Sequence, residues 1–335
     1  MSISVLDPVS SAYDRTRKVL FATGDFYKWI CIWFCSWLSG LGSGGGVNLN
    51  FNIPTDFSKP GPGKAIPPEI EAFFESVKGW VLENLGLVIA AGVALVVFII
   101  ALKVVFCWIS SRARFMFLDN VVMNRGEVVK PWHGFRSHGN SLFLFRLVYG
   151  IGVLILFAAI IVGCVMAFVP YVRAQTMDEA GLWMIVGAVV AVLTLLAVLW
   201  MIDVFLQDFV TPIMYLKGGG VMAAWGEFRG LLGEHMWPIV LYLHVKAALL
   251  LVVVMISIAI GCVLCCIACL PIVGPVALSV LLLPLSVFMR CYAIDFLAQF
   301  GSEYVPLLGP AAGPPGPPGP QTPVGLDVPV GPEIA

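Results

Sequence analysis

Five stretches of this 335-residue chain are long and apolar enough to cross a lipid hydrocarbon layer, which takes about 20 residues of helix. They are Gly86–Ile109, Leu147–Pro170, Gly181–Phe205, Ala247–Cys269 and Pro275–Phe300. In hydrocarbon, a backbone amide finds no water, so such a run must satisfy its own hydrogen bonds. The runs therefore predict an all-α, multi-pass membrane protein. Composition agrees, with 60% hydrophobic and only 12% charged residues, against about 45–50% and 25% in soluble domains. Gly261 and Pro284 lie inside the last two runs. Helix bundles tolerate them because neighbours can satisfy freed backbone groups.

A shorter run, Phe26–Leu41, is decided by charge rather than length. Cytoplasmic loops carry excess Lys and Arg. The segment Ser110–Arg146 holds Arg112, Arg114, Arg125, Lys130, Arg136 and Arg146, and the N-terminal arm holds Arg15, Arg17, Lys18 and, at its junction, Lys28. The segment Gly42–Asn84 is instead acidic on balance, with Asp56, Glu69, Glu71, Glu75 and Glu83 against Lys59, Lys64 and Lys78. Six spans with both ends cytoplasmic fit this pattern; five would place the basic arm outside. Phe26–Leu41 is therefore read as a first span that also serves as targeting element, because no small-residue cleavage site closes it. The expected location is the cell membrane. A net charge of −1 implies no nucleic-acid partner.

The loops between spans contain a repeat. Val128-Val129-Lys130-Pro131-Trp132-His133-Gly134-Phe135-Arg136 returns as Val221-Met222-Ala223-Ala224-Trp225-Gly226-Glu227-Phe228-Arg229, sharing V-x3-W-x2-F-R. The apolar runs before the copies, and the final run, end alike, in Arg114-x4-Asp119, Asp203-x4-Asp208 and Arg290-x4-Asp295. This predicts a repeated hairpin with units at about 86–170 and 181–269. The last span pairs with the first as a split third hairpin.

Around this 26–300 membrane domain lie weaker elements. An interfacial N-terminal arm occupies 1–25, its Tyr13, Val19, Leu20 and Phe21 beside basic residues. Gly42–Gly63 is Gly-rich, and its Asn48–Asn52 alternation suits a short extended piece. Pro67–Leu85 opens with Pro67-Pro68 and acidic residues and repeats its apolar positions at helical spacing, as an amphipathic helix does. The tail 301–335 is rich in Pro and Gly and predicts disorder, with a polyproline surface open to a protein partner.

At Arg114–Val122, Ser141–Leu147 and Asn48–Asn52 the chain resembles an uncharacterised family of bacterial and archaeal polytopic membrane proteins, over about residues 10 to 300. That family is distantly similar to the membrane domain fused to some glycerophosphodiester phosphodiesterases. The resemblance implies a six-helix membrane module. It carries over no catalytic residue, since the hydrolase domain has no counterpart in this chain.

Candidate chemistry is sparse. Cys262, Cys266 and Cys269 share a helical face, but thiolates are costly in hydrocarbon and no His or carboxylate lies near in sequence. Packing is the favoured reading for all nine cysteines, and neither metal nor cofactor is expected. Intramembrane ionisable groups are functional candidates by default. Asp203, Arg290 and Asp295 lead, with Arg114, Asp119 and Asp208 at matching positions. Arg290 is expected to pair with Asp203 and fix helix register; the alternative is a polar vestibule for a proton, ion or headgroup. Lys103 and Lys246, near span ends, are expected to snorkel, and His133 and His138 to be solvated or to face headgroups. Trp132, Arg136, Trp225 and Arg229 form an anchor pattern for lipid headgroups. No nucleotide-loop, zincin or nucleophile-elbow motif occurs.

The expected role is a non-enzymatic module organising lipids or partner proteins. A transporter or permeation pathway is the alternative, and an intramembrane lipid enzyme ranks below both.

Overall fold

The computed structural model describes residues 3–22, 24–41, 68–174, 179–263 and 273–309, and every regular element among them is helical. The Gly-rich segment, Cys265–Cys269 and nearly all of the tail lie outside the described residues. The elements are α1 (Asp7–Phe21), α2 (Phe26–Gly40), α3 (Pro68–Glu83), α4 (Leu85–Val122), α5 (Val129–Gly134), α6 (Arg136–Ala174) and α7 (Glu179–Phe205). A π-helical turn, Leu206–Val210, joins α7 to α8 (Thr211–Lys217). Then come α9 (Val221–Glu234), α10 (Met236–Val263), α11 (Val273–Leu281), α12 (Leu283–Leu297) and two short 3₁₀ segments.

Among the described residues, four helices are long and apolar enough to cross a membrane: Leu85–Val122, Arg136–Val169, Gly181–Lys217 and Met236–Cys262. Each contains one of the expected runs or its described part. The other two runs have a different form. Phe26–Leu41 is α2, whose 15 residues rise about 22 Å, short of the roughly 30 Å hydrocarbon layer. Pro275–Phe300 is divided at Leu282, because Pro284 enters the first turn of α12 and cannot donate backward.

Local chemistry explains the boundaries. Asp25 caps α2, its carboxylate accepting from the backbone N–H of Tyr27 (3.0 Å) and Lys28 (3.4 Å). Pro8 stands in the first turn of α1, where the missing donor costs nothing, and Pro212 lies just past the π turn inside the continuous helix Gly181–Lys217. Gly218 ends α8 in the left-handed conformation, φ 71°. Past α4, Asn120 holds the turn by accepting from Glu127 N–H (2.9 Å) and donating to Glu127 O (2.8 Å).

The core lies at one end of the long helices. Inside the chain, the most apolar window of each of the four is 0% buried. Apolar contact between helices has no hydrophobic advantage over contact with lipid tails, so apolarity alone does not close these segments on each other. The burial begins where polarity begins: from Ser110 to Val122 every residue of α4 is buried. Val204–Met214, Ile239, Tyr242 and most of α12 join it. Aromatic rings fill the centre, with Phe228 at 4.8 Å from Phe205 and 4.9 Å from Phe209, and Tyr242 at 4.4 Å from Phe296. α2 packs along α4, α4 along α6 and α1 along α12. Thus α1 is no free arm: Pro8, Ala12, Thr16, Val19 and Leu20 form its buried stripe.

The turn past α4 approaches α2 closely. A Cβ on Gly126 would lie 2.6 Å from the Cα of Lys28. Gly126→Ala is expected to destabilise the protein by about 1–3 kcal/mol, because backbone must move. Thermal melts of the purified variant check this; an unchanged midpoint would show that the turn relaxes freely.

Candidate functional site

Three carboxylates stand at the matching positions Asp119, Asp208 and Asp295, and all are buried. Each accepts from one cation and one hydroxyl. Asp119 takes Arg125 (2.7 Å) and the Tyr215 hydroxyl (3.0 Å). Asp208 takes Lys246 and the Tyr242 hydroxyl (2.7 Å). Asp295 takes Arg15 (2.7 Å) and the Ser11 hydroxyl (2.9 Å). A buried carboxylate needs such partners, since desolvation without them costs several kcal/mol. The π turn contains Asp208, and Thr211 closes it by donating to Leu206 O (2.7 Å).

One turn before these acids, the pairing differs from expectation. Asp203 pairs with Arg114 (3.3 Å), and Arg290 instead donates to Gln207 O (2.7 Å). Arg290 lies 5.6 Å from the centre of the Phe117 ring on α4, and the cation that reaches Asp203 comes from α4. Lys246 does not snorkel. It is buried against Asp208. Lys103 is exposed.

The repeated motif divides in two. Its aromatic residues turn inward: Phe228 enters the core, and Phe135 stacks on Phe115 at 5.9 Å. Trp132 meets Trp108 edge-on at 5.8 Å, and the Arg112 guanidinium lies 4.3 Å from the Trp108 ring centre. Trp225 packs between Phe145 and Phe228. Of the four anchor residues, Arg136 and Arg229 are exposed and free to meet headgroups. His133 is exposed, whereas His138 is wedged beside Phe115 and Phe135 with both ring nitrogens buried and unbonded.

Beyond the helices, Lys217 binds Glu227 (2.7 Å) and Glu303 (3.0 Å), and the Tyr304 hydroxyl donates to Glu227. The hydrogen bond from Lys217 holds the Glu303 carboxyl below its usual range. Burial, then Glu227, pushes the Tyr304 hydroxyl up. This ties Ser302–Leu308 to α8 and α9.

Sequence reasoning missed Ser11, Arg15, Tyr215 and Tyr242 as partners of these acids. One signal was present: Tyr242 and Lys246 are i,i+4 on α10 and so share a face. No group of three or more His, Cys, Asp or Glu suited to a metal occurs among the described residues.

Four helices able to span a bilayer, fastened at one end by buried ion pairs, define an all-α membrane protein. The chain belongs to DUF7544, a family of unknown function whose model covers residues 3–294. No curated protein and no solved structure matches it.

Proposed function

We propose that this protein is a non-enzymatic module of the cell membrane that organises lipids or partner helices around a fixed polar end. The observation that carries this is the wholly unburied state of the four apolar windows beside a fully packed polar end. Such helices present their sides to lipid or to other proteins while their bases are held in register.

On this reading the chain crosses six times, with α2 and the α11–α12 pair as short first and last spans and both ends cytoplasmic. The basic residues of Ser110–Arg146 and the N-terminal arm support that orientation. The matching acids on α4, the π turn and α12 support a repeated hairpin, with the first and last spans as a split third unit. The distant resemblance to the membrane domain of some glycerophosphodiester phosphodiesterases is part of the same proposal. The Pro-rich tail then serves as a partner segment outside the 26–300 domain. The alternative, a permeation pathway, has the π turn at Asp208 on its side, because such turns recur at functional sites.

Proteoliposomes test both. Tags on the two ends should show the same sidedness, and proton or monovalent-ion leak should equal that of protein-free vesicles. Ends on opposite sides would overturn the six-span plan. A saturable leak abolished by Asp208→Asn would replace the module by the pathway.

A further inference from the structure

The polar end buries more cations than its acids pair with directly. Arg114, Lys246 and Arg290 are all buried. Asp203 and Asp208 face them, taking Arg114 and Lys246 directly. Arg290, 3% exposed, donates only Nη1, and only to a neutral carbonyl; its Nε and Nη2 have no partner. Arg114, 1% exposed, likewise leaves Nη1 unbonded. Asp208 is the first charged neighbour of Arg290 and Arg114 the next, and Arg146, bonded to the Ser110 and Ser111 hydroxyls, is a third guanidinium beside Arg114. The hydroxyl of Tyr149, a neighbour of Asp203, is buried and unbonded as well.

Buried guanidinium donors left unbonded are expensive, and like charges held together make them more so. The matching ligand is a small anion with several acceptor oxygens, to which guanidinium donates as a planar fork. The cluster is open at one edge, at Asp203. Asp203, near the end of α7, has 44% of its side chain exposed.

We propose that Arg114 and Arg290 bind a phosphate group, reached beside Asp203 between α4, α7 and α12. A phospholipid headgroup and free phosphate share this chemistry. The headgroup source rests on the lipid-organising reading above; the anion site itself does not.

The test uses the purified full chain in a maltoside detergent stripped of lipid. Thermal unfolding is followed with phosphatidylglycerol, with a phosphate-free galactolipid, and with inorganic phosphate, each titrated separately. Phosphatidylglycerol should stabilise the protein, and the galactolipid should not. Stabilisation by phosphatidylglycerol alone assigns a headgroup; stabilisation by inorganic phosphate as well assigns a general phosphate site. Arg290→Gln should weaken phosphatidylglycerol binding about tenfold or more, in line with the loss of charge-assisted bonds. Equal stabilisation by the galactolipid, or none by either phosphate compound, overturns the proposal. So does unchanged binding in Arg290→Gln. Should that variant not fold, the wild-type titrations decide alone. A negative result leaves the sidedness and leak measurements untouched, so the two readings fail separately.

Discussion

Asp208→Ala will cost the protein about 3–5 kcal/mol of stability, the loss seen when one member of a buried ion pair is removed. Lys246 would remain buried without its acid, and the Tyr242 hydroxyl would lose its acceptor. Both side chains are nearly inaccessible, so solvent does not screen the loss. The paired change Asp208→Leu with Lys246→Met should recover most of it, because it leaves no buried charge behind. Melting midpoints of the two single variants and the double variant in one detergent measure this. A Lys246→Met protein as stable as the wild type would show that the pair contributes nothing, and the register argument would fall.

The second large effect is at Asp295. Asp295→Ala should cost about 3 kcal/mol and release α1 from α12. Arg15 would keep its bond to Leu307 O (3.0 Å) but lose its acid, and Ser11 would lose its acceptor. Hydrogen exchange reads the local part of the change. Amides of Asp7–Phe21 should lose protection far more than those of Ser110–Val122. Uniform loss across both would show that α1 is an integral part of the folding unit and does not peel away by itself. Arg15→Gln, which leaves Asp295 the buried orphan, should behave alike.

The long helices were legible because membrane spans announce themselves by length and apolarity alone. Four of the six expected spans correspond to helices of sufficient length among the described residues. The remaining two were harder for a local reason each: α2 is short, and Pro284 breaks the last run. What composition could not show is where the chain packs. Trp132 and Trp225 looked like interfacial anchors, yet they pack against the core, because a loop helix folded back on the span ends offers them ring contacts. Lys246 looked like a snorkelling residue, yet Asp208 lies across from it. The choice of Arg114 over Arg290 for Asp203 depends on which helix stands nearest, and spacing along the chain carries no such information. The matching acids were visible; their donors, scattered over α1, the turn past α4, α8 and α10, were not.

A molecule riveted at its base and loose at its far end has a mechanical property that a fully packed bundle lacks. When the bilayer thins or thickens, the four free rods can lean independently to match it, at a fraction of a kcal/mol per ångström of mismatch. The rivets at the buried end need not yield.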